Sequence, residues 1–353
     1  MYLRSLYLKH FRRYQEAFFE FSPGLNVICG PNAQGKTTLL EAIHLLMLGR
    51  SFRPSQVQEL IHEGADSFFV EALFNKHGVD QTLRFSFNPK ERRIIHHSTS
   101  LTSLSHLLGL IQGVIMTPDD VNLVKGAPQI RRQFLDVQIA QIDPLYVHYL
   151  TRYMKAMRQR NQLLKQKTFL TIENWEHELV QAAVYLMEQR RKTVEALQKF
   201  CGPFYAYLTH ETEELTLVYR PSGSKGLNSE EMKREYIQLL QKQREREMFV
   251  GYTLSGPHKD DIDIYIGGRH ARQFASEGQQ RSCVTALHFG EWQQLKRRSD
   301  DIPLLMIDDV GISLDTMRRQ RLIEQLASLG QVFLTTTDPH FLEANISIEK
   351  KVF

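Results

Sequence analysis

The sequence predicts an α/β head that is interrupted by a long, mainly helical insertion. Three observations support this prediction. A glycine-rich loop at 30–37 lies between a strand pattern and a helix pattern, a second apolar run ends in carboxylates at 308 and 309, and helical periodicity dominates residues 127–248. Positions 36 and 308 are 272 residues apart. Since a whole domain is typically ~100–150 residues, a second domain must be inserted between them.

The loop at 30–37 matches the G-x-x-x-x-G-K-[ST] phosphate-loop pattern, in a context that favours nucleoside-triphosphate binding over a chance glycine-rich turn. Residues 25–29 predict a buried strand before it, and residues 37–43 predict a helix after it. Loop N–H groups and the helix N-terminus would face phosphate oxygens. Lys36 would reach the β- and γ-phosphates, and Thr37 would place its hydroxyl on Mg²⁺. The residues predicted to bind ATP are Gly30, Pro31, Asn32, Ala33, Gln34, Gly35, Lys36, Thr37 and Thr38.

The composition is that of an ordinary globular chain, with 42% hydrophobic and 24% charged residues among 353. The sequence has no run of 18 apolar residues and no apolar signal segment at its start, so we expect a cytoplasmic protein without a membrane partner. Cys29, Cys201 and Cys283 form no C-x-x-C pair, which argues against disulfides and structural zinc. A net charge of +4 alone says little about nucleic acid.

The apolar run 303–307 predicts a parallel strand buried on both faces, beside the strand of the phosphate loop. Asp308 at its end would hold Mg²⁺ together with Thr37, and Asp309 would orient the attacking water. Lys36, Asp308 and Asp309 are therefore the candidate catalytic residues.

The regions between these two motifs differ in their patterns. Short alternating strands up to about residue 116 predict a β-rich subdomain, and residues 127–248 predict helices broken at Pro203 and at 221–226. We expect a first part of the head at 1–125, a helical arm at 126–250 and a second part of the head at 251–353.

The first arm helix carries six basic residues and no acidic one between 151 and 168. At 100° per residue, four of them lie opposite the apolar face, and Arg160 and Lys167 flank it. A solvated helix face is the plain interpretation, whereas a row of one sign favours contact with a phosphate backbone. The four candidate DNA-binding residues, called here the basic stripe, are Arg152, Lys155, Arg158 and Lys165.

Residues 274–281 contain a Ser-x-Gly-Gln-Gln run before a helix pattern, which resembles the signature loop of ATP-binding-cassette ATPases. That resemblance implies that Ser276, Gly278 and Gln279 contact the γ-phosphate of ATP bound to a partner subunit. A simple N-cap serine is the alternative for Ser276.

The chain as a whole resembles the RecF family of bacterial recombination mediators, related to the Rad50 and SMC heads. The segments that carry the resemblance are 11–14, 30–42, 49–53, 117–120, 131–136, 159–161, 255–261, 275–281 and 305–310. It implies an ABC-type P-loop ATPase head, slow DNA-stimulated ATP hydrolysis with Mg²⁺, ATP-dependent homodimers, and binding to gapped DNA or its double-strand/single-strand junction. It further implies cooperation with RecR and RecO in loading the RecA recombinase, within DNA repair, replication and the SOS response to DNA damage.

Some positions depart from that family. Ala33 stands where glycine is frequent, and Ile312 and Ser313 replace a Ser-Glu pair before Asp315, which affects signalling between subunits. Asp309 replaces the glutamate of cassette transporters, so poor water activation is expected. His258 could lie near nucleotide or a dimer contact, or make a structural hydrogen bond. A transporter ATPase subunit and a nucleotide-dependent scaffold without DNA binding are the rival functions.

Overall fold

The computed structural model describes residues 1–53, 55–210, 213–226, 228–299, 301–309, 316–326, 328–337 and 350–352. The chain divides into two compact units. The head unit comprises Met1–Val121, Phe204–Thr212 and Ser276–Phe353, and the arm unit comprises Asn122–Pro203 and Glu213–Ala275. An α/β head with an inserted helical arm is therefore confirmed.

An antiparallel sheet is formed by the first hundred residues of the head unit. Its strands are β1 (Tyr2–Phe11), β2 (Tyr14–Glu20), β4 (Phe68–Lys76), β5 (Val79–Asn88), β6 (Glu91–His96) and β7 (Thr99–Ser100), in the order β2-β1-β4-β5-β6-β7. Alternate residues of β4 are buried, and Phe68 stacks on Phe85 with ring centroids 5.9 Å apart. This period of two is what an antiparallel sheet with one covered face requires. The β-rich subdomain lies where the sequence predicted it.

The second sheet of the head unit is parallel. Its strands are β3 (Leu25–Cys29), β8 (Gly113–Met116), β12 (Leu304–Ile307), β13 (Val332–Thr336) and β14 (Lys350–Val352), in the order β14-β3-β13-β12-β8. Every residue of β12 and β13 is buried. Thr336 pairs with Cys29, and Ile307 pairs with both Leu334 and Met116, so these strands end at one edge. The sequence predicted that the carboxylate strand β12 lies beside β3, but β13 lies between these two strands.

Helices of the head unit are α1 (Lys36–Leu48), α8 (Glu277–Arg298) and α9 (Thr316–Leu326). Residues Thr38–Leu48 of α1 are all buried, and the helix contacts β1, β4 and β5 as well as β13. A helix that is apolar on every side must lie inside the core. The phosphate loop is therefore anchored to a helix that is enclosed by both sheets.

The arm unit is mainly helical. Its elements are α2 (Asn122–Lys125), α3 (Pro128–Ala140), α4 (Pro144–Lys165), α5 (Ile172–Thr209, whose last residues belong to the head unit), β9 (Leu215–Arg220), α6 (Ser229–Val250), β10 (Asp261–Ile266), β11 (Arg269–His270) and α7 (Ala271–Phe274). The three short strands form a sheet in the order β11-β10-β9. The long helices α4, α5 and α6 cover most of residues 127–248, where the sequence predicted helices.

The predicted break at Pro203 is wrong, because α5 continues through it to Thr209. An interior proline removes one backbone hydrogen bond and costs about 3 kcal/mol. Packing beyond it outweighs this cost. Tyr205 and Leu208 are fully buried, and Phe204 stacks on Phe289 with centroids 3.7 Å apart.

The domain ranges 1–125, 126–250 and 251–353 remain a proposal. The observed arm unit extends to Ala275, beyond the proposed boundary at 250. Within the described residues, no helix is both long and apolar enough to cross a membrane.

Candidate functional site

The phosphate loop joins β3 to α1 and holds two residues in left-handed backbone conformations. Ala33 has φ 66° and Gly35 has φ 104°. A Cβ on Gly35 would lie 2.9 Å from the Tyr14 hydroxyl, so this position requires glycine for both reasons. The positive φ at position 33 also explains why glycine suits that place in related loops.

Lys36 is the first residue of α1, and backbone carbonyls of the phosphate loop hold its side chain. Its ammonium donates to the carbonyl of Gly30 at 2.6 Å and to that of Pro31 at 2.8 Å. The side chain therefore lies over the curl of the loop, whose residues Pro31, Asn32, Ala33 and Gln34 are exposed. A cation in this position faces the place where loop N–H groups would hold phosphate.

Thr37, Asp308 and Thr335 form a chain of hydrogen bonds across the carboxyl edge of the parallel sheet. Thr37 Oγ1 donates to Asp308 Oδ1 at 2.9 Å, and Thr335 Oγ1 donates to the same oxygen at 2.7 Å. Thr335 belongs to β13, which lies between β3 and β12. Its hydroxyl therefore joins the site from the intervening strand. The sequence did not reveal this link, because threonine is common in strands for steric reasons alone.

Asp309 has an unusual environment for a carboxylate. Its φ is 53°, its N–H donates to Thr335 Oγ1 at 2.8 Å, and its buried Oδ1 has no hydrogen-bond partner within the part of the chain that the structure describes. Burial raises the pKa of Asp309, and the neighbouring Asp308 raises it further, while Lys36 opposes both. A strained, under-satisfied carboxylate beside a phosphate loop is suited to accept a proton or orient a water.

The donor set at this edge fits a hard divalent cation with a triphosphate. Thr37 and Asp308 supply a hydroxyl and a carboxylate oxygen close together, which is the ligand type that Mg²⁺ prefers. Lys36 and the loop N–H groups supply positive charge for phosphate on the same edge. Thr37 and Asp308 would hold the metal, and the ion would neutralise charge on the phosphates.

Ser276 is the N-cap of α8 within a capping box. Its hydroxyl accepts from the N–H of Gln279 at 3.3 Å, and its own N–H donates to Gln279 Oε1 at 2.7 Å. The helix N-terminus is thus ordered with Ser276, Gly278 and Gln279 in its first turn. Capping alone accounts for the serine, and its predicted role toward a partner's ATP stays a prediction.

His288 belongs to no motif of the sequence, and it links the signature helix α8 to the segment after β8. Its Nε2 lies 3.1 Å from Asp120 Oδ2, its Nδ1 lies 3.1 Å from Glu291 Oε2, and Asp120 also accepts from the N–H of Thr117 at 2.6 Å. Burial by itself lowers the pKa of His288, but the two carboxylates more than offset this and raise it to about 10. A charged histidine therefore links the helix to the carboxyl edge of the parallel sheet.

His258 takes part in a hydrogen-bond network within the arm unit. Its Nδ1 lies 2.6 Å from the Tyr153 hydroxyl, and its Nε2 lies 3.0 Å from the Thr253 carbonyl oxygen. Burial lowers the pKa of His258 to about 4, with Lys259 among the cations that lower it further. These contacts favour the structural alternative for this residue. The nearby Gly256 is buried, and a Cβ there would lie 2.1 Å from the Tyr236 hydroxyl, so this position has no room for a side chain.

The four residues of the basic stripe differ in their surroundings. Lys155, Arg158 and Lys165 are exposed, whereas Arg152 forms an ion pair with Glu178 of α5 at 2.6 Å. The sequence segment 151–168 contains no acidic residue. The carboxylate that pairs with Arg152 comes from the next helix, α5.

The helical projection placed Arg160 beside the apolar face of α4, but the structure buries it fully. Its guanidinium contacts Glu176 at 2.9 Å and Glu247 at 2.6 Å. A planar guanidinium with several N–H donors suits two buried carboxylates. The helical projection could not show this pairing, because Glu176 and Glu247 lie on other helices.

One part of the predicted site lies outside the described residues. It is the segment 310–315, with Ile312, Ser313 and Asp315.

The chain matches the family model described as the RecF/RecN/SMC N terminal domain over residues 2–351. It is 60% identical over 354 residues to the DNA replication and repair protein RecF of Protochlamydia amoebophila, covering 100% of this chain and 98% of that protein. The RecF of an Exiguobacterium species is 35% identical over 360 residues, covering 100% and 97%.

Solved structures agree with the sequence relatives. One described as the recombination mediator protein RecF-ATP in the RecFOR pathway superposes with a TM-score of 0.90 at 29% identity, covering 99% of this chain and 93% of that one. An SMC head bound to the C-winged helix domain of ScpA has a TM-score of 0.57 at 16% identity, covering 97% and 92%, and supports the head fold alone. With the phosphate loop, the carboxylate strand and the inserted arm in place, the chain belongs to the RecF family of DNA replication and repair proteins.

Proposed function

We propose that this protein is an ATP-dependent DNA-binding protein of recombinational gap repair. It dimerises on ATP and DNA, and it helps load the RecA recombinase together with RecO and RecR. The observation that supports this most directly is the arrangement of Lys36, Thr37 and Asp308 at one edge of the parallel sheet, in a chain 60% identical to a RecF protein. The structure described as RecF-ATP supports ATP as the nucleotide.

The residues divide the work as follows in this proposal. The loop 30–38 binds the phosphates, Thr37 and Asp308 hold Mg²⁺, and Asp309 orients the attacking water. Ser276, Gly278 and Gln279 act on the nucleotide of the second subunit of the dimer.

Hydrolysis in this proposal is slow and DNA-stimulated. Asp309 is a short carboxylate in a left-handed backbone, so its distance to a water is less adjustable than that of a glutamate. Because turnover is slow, the rate of ATP hydrolysis sets the lifetime of the dimer, and hydrolysis returns the subunits to the monomeric state.

Sedimentation velocity tests this proposal directly. The full chain is run with ATP and Mg²⁺, with ADP, and without nucleotide, each with and without gapped DNA. We expect dimers with ATP, further stabilised by the gapped DNA, and monomers with ADP. ATP-dependent dimers that ignore every DNA would instead support a nucleotide-dependent scaffold or a transporter-type subunit. Monomers under all conditions would overturn the proposal.

A further inference from the structure

Two aromatic side chains, one in the last turn of α6 and one just after it, are exposed to solvent. Phe249 is 90% exposed and Tyr252 is 46% exposed. Gly251 between them ends the helix with φ 79°, and its N–H donates to the Glu247 carbonyl oxygen at 2.7 Å. The backbone that carries both rings is therefore fixed by a left-handed C-cap, while the rings themselves project outward.

Three cationic residues lie near this end of α6. The Lys259 ammonium lies 5.9 Å from the centroid of the Tyr252 ring. A Cβ on Gly251 would lie 3.2 Å from Lys165 Cγ, so the stem of Lys165 passes the turn between the two rings. Arg246 is exposed one helical turn before Phe249, on the same face. We call Phe249, Tyr252, Lys165, Arg246 and Lys259 the arm tip.

The acids near the arm tip are largely engaged elsewhere. Glu247 is fully buried and pairs with Arg160, and Glu173 pairs with Arg244 at 3.7 Å. Glu245 is an exposed acid on α6. Within the described residues, none of Lys165, Arg246 and Lys259 lies within 4.0 Å of a carboxylate oxygen as an ion pair. The arm tip is thus a positive surface with two exposed aromatic rings, and Lys259 lies over one face of the Tyr252 ring.

We propose that the arm tip binds single-stranded nucleic acid, with bases stacked on Phe249 and Tyr252 and phosphates on the three cations. This inference rests on the proposed DNA-binding function and assigns a site within it. A ring that is 90% exposed lies on a convex surface, which offers a stacking platform and no groove for a peptide. A duplex is a poorer occupant, because its bases are already stacked on one another.

Lys165 connects the arm tip with the basic stripe. Lys155 and Lys165 are ten residues apart on α4, which is about 15 Å along the helix. The stripe could therefore follow the backbone of a nucleic acid whose unpaired bases reach the rings. In this arrangement the duplex part of a double-strand/single-strand junction lies on the basic stripe, and its single strand lies on the arm tip.

Binding of two fluorescent probes tests this site, a labelled oligothymidine and a labelled duplex of equal length. The variants are Phe249→Ala and Tyr252→Ala, with Phe18→Ala as control, because Phe18 of the head unit is 61% exposed. Each arm-tip variant should weaken oligothymidine binding roughly five- to a hundredfold and leave duplex binding unchanged. The control should bind both probes as wild type does. Equal melting temperatures would show that each variant is folded.

Oligothymidine binding equal to wild type in both arm-tip variants would overturn the inference, as would an equal loss for both probes. If Phe249→Ala alters only self-association in the absence of DNA, the patch is a protein contact and the inference also fails. Failure of the proposed function looks different, because wild type itself would then bind neither probe.

Discussion

The Thr37 hydroxyl donates a 2.9 Å hydrogen bond to Asp308, although the two residues are 271 positions apart in the chain. The contact crosses the whole inserted arm in sequence and one intervening strand in space. It brings the two proposed Mg²⁺ ligands together from opposite ends of the molecule's sequence, so the head can assemble its site only when both parts of the head have folded together.

Lys36→Ala should abolish ATP binding, because it removes the cation that lies over the phosphate loop. Lys36→Arg should retain part of the binding but lose turnover, since a planar fork replaces a point charge. Equilibrium titration with a fluorescent ATP analogue measures both, with Lys9→Ala on the exposed side of β1 as control. Unchanged affinity in Lys36→Ala would refute the assignment of the site.

Asp309→Asn should leave ATP binding intact, remove hydrolysis and trap a long-lived dimer. The physical reason is that the buried Oδ1 of Asp309 has no hydrogen-bond partner among the described residues, so its capacity to accept a hydrogen bond from the attacking water is unused. Phosphate release and dimer lifetime in sedimentation measure the effect. If affinity for ATP falls while dimer lifetime stays the same, the roles of Asp308 and Asp309 are exchanged.

Ser276→Arg should abolish ATP-induced dimerisation while monomers still bind ATP, because a bulky cation would face the partner's metal site. Loss of the N-cap could by itself cost about 0.5–2 kcal/mol of stability. Ser276→Asn separates the two effects, since asparagine caps a helix as well as serine does. Analytical ultracentrifugation with ATP measures dimers. Normal dimerisation of Ser276→Arg would contradict a cassette-type interface.

The protonated His288 should make stability fall as pH rises. Its folded pKa of about 10 exceeds the ordinary value of about 6.5, so its contribution is complete below pH 6.5 and is lost as pH rises through 10. Burial also raises the pKa of Glu291, which acts in the same direction. Urea midpoints between about pH 6.5 and 9.5 measure the slope.

His288→Gln should cost about 3–5 kcal/mol and flatten that slope, because it leaves buried carboxylates without their cation. His177→Gln, at an exposed position of α5, is the matched control. Equal slopes in wild type and His288→Gln would show that the histidine is neutral in the folded state.

Much of this architecture could be predicted from local sequence. The phosphate loop, β12 and the arm helices each have a periodicity or motif that depends on neighbouring residues only. The order of the parallel strands could not be predicted, because β13 enters between β3 and β12 from a distant segment. For the same reason the sequence did not reveal the bond from Thr335 to Asp308.

Contacts between residues distant in sequence also explain the two wrong predictions for the arm. Arg160 looked like a surface cation because its two carboxylate partners are on other helices, and Pro203 looked like a helix end because the packing of Phe204 on Phe289 is tertiary. Helical projection describes the direction of a side chain and gives no information about its partners.

Contact of the basic stripe with DNA phosphates should appear in the salt dependence of binding. Each cation that displaces a condensed counterion contributes about −0.9 to the slope of log K against log[salt] on duplex DNA. Lys155, Arg158 and Lys165 are exposed, whereas Arg152 is paired with Glu178. Three contacts in each of two subunits set a ceiling of about −5 for their share of the slope, and Arg152 would raise the ceiling to about −7.

Replacing Lys155, Arg158 and Lys165 with Gln should flatten the slope without changing ATP binding, because glutamine has a similar helix propensity. Arg152→Gln alone should have the smaller effect per residue, since Glu178 already occupies its guanidinium. Duplex titrations over a range of salt concentrations measure both variants. A triple variant with the wild-type slope would make the stripe a solvated face and place DNA elsewhere. Arg131, another basic residue of the arm unit, could not supply the phosphate contact instead, because it is buried and paired with Asp261 at 2.7 Å.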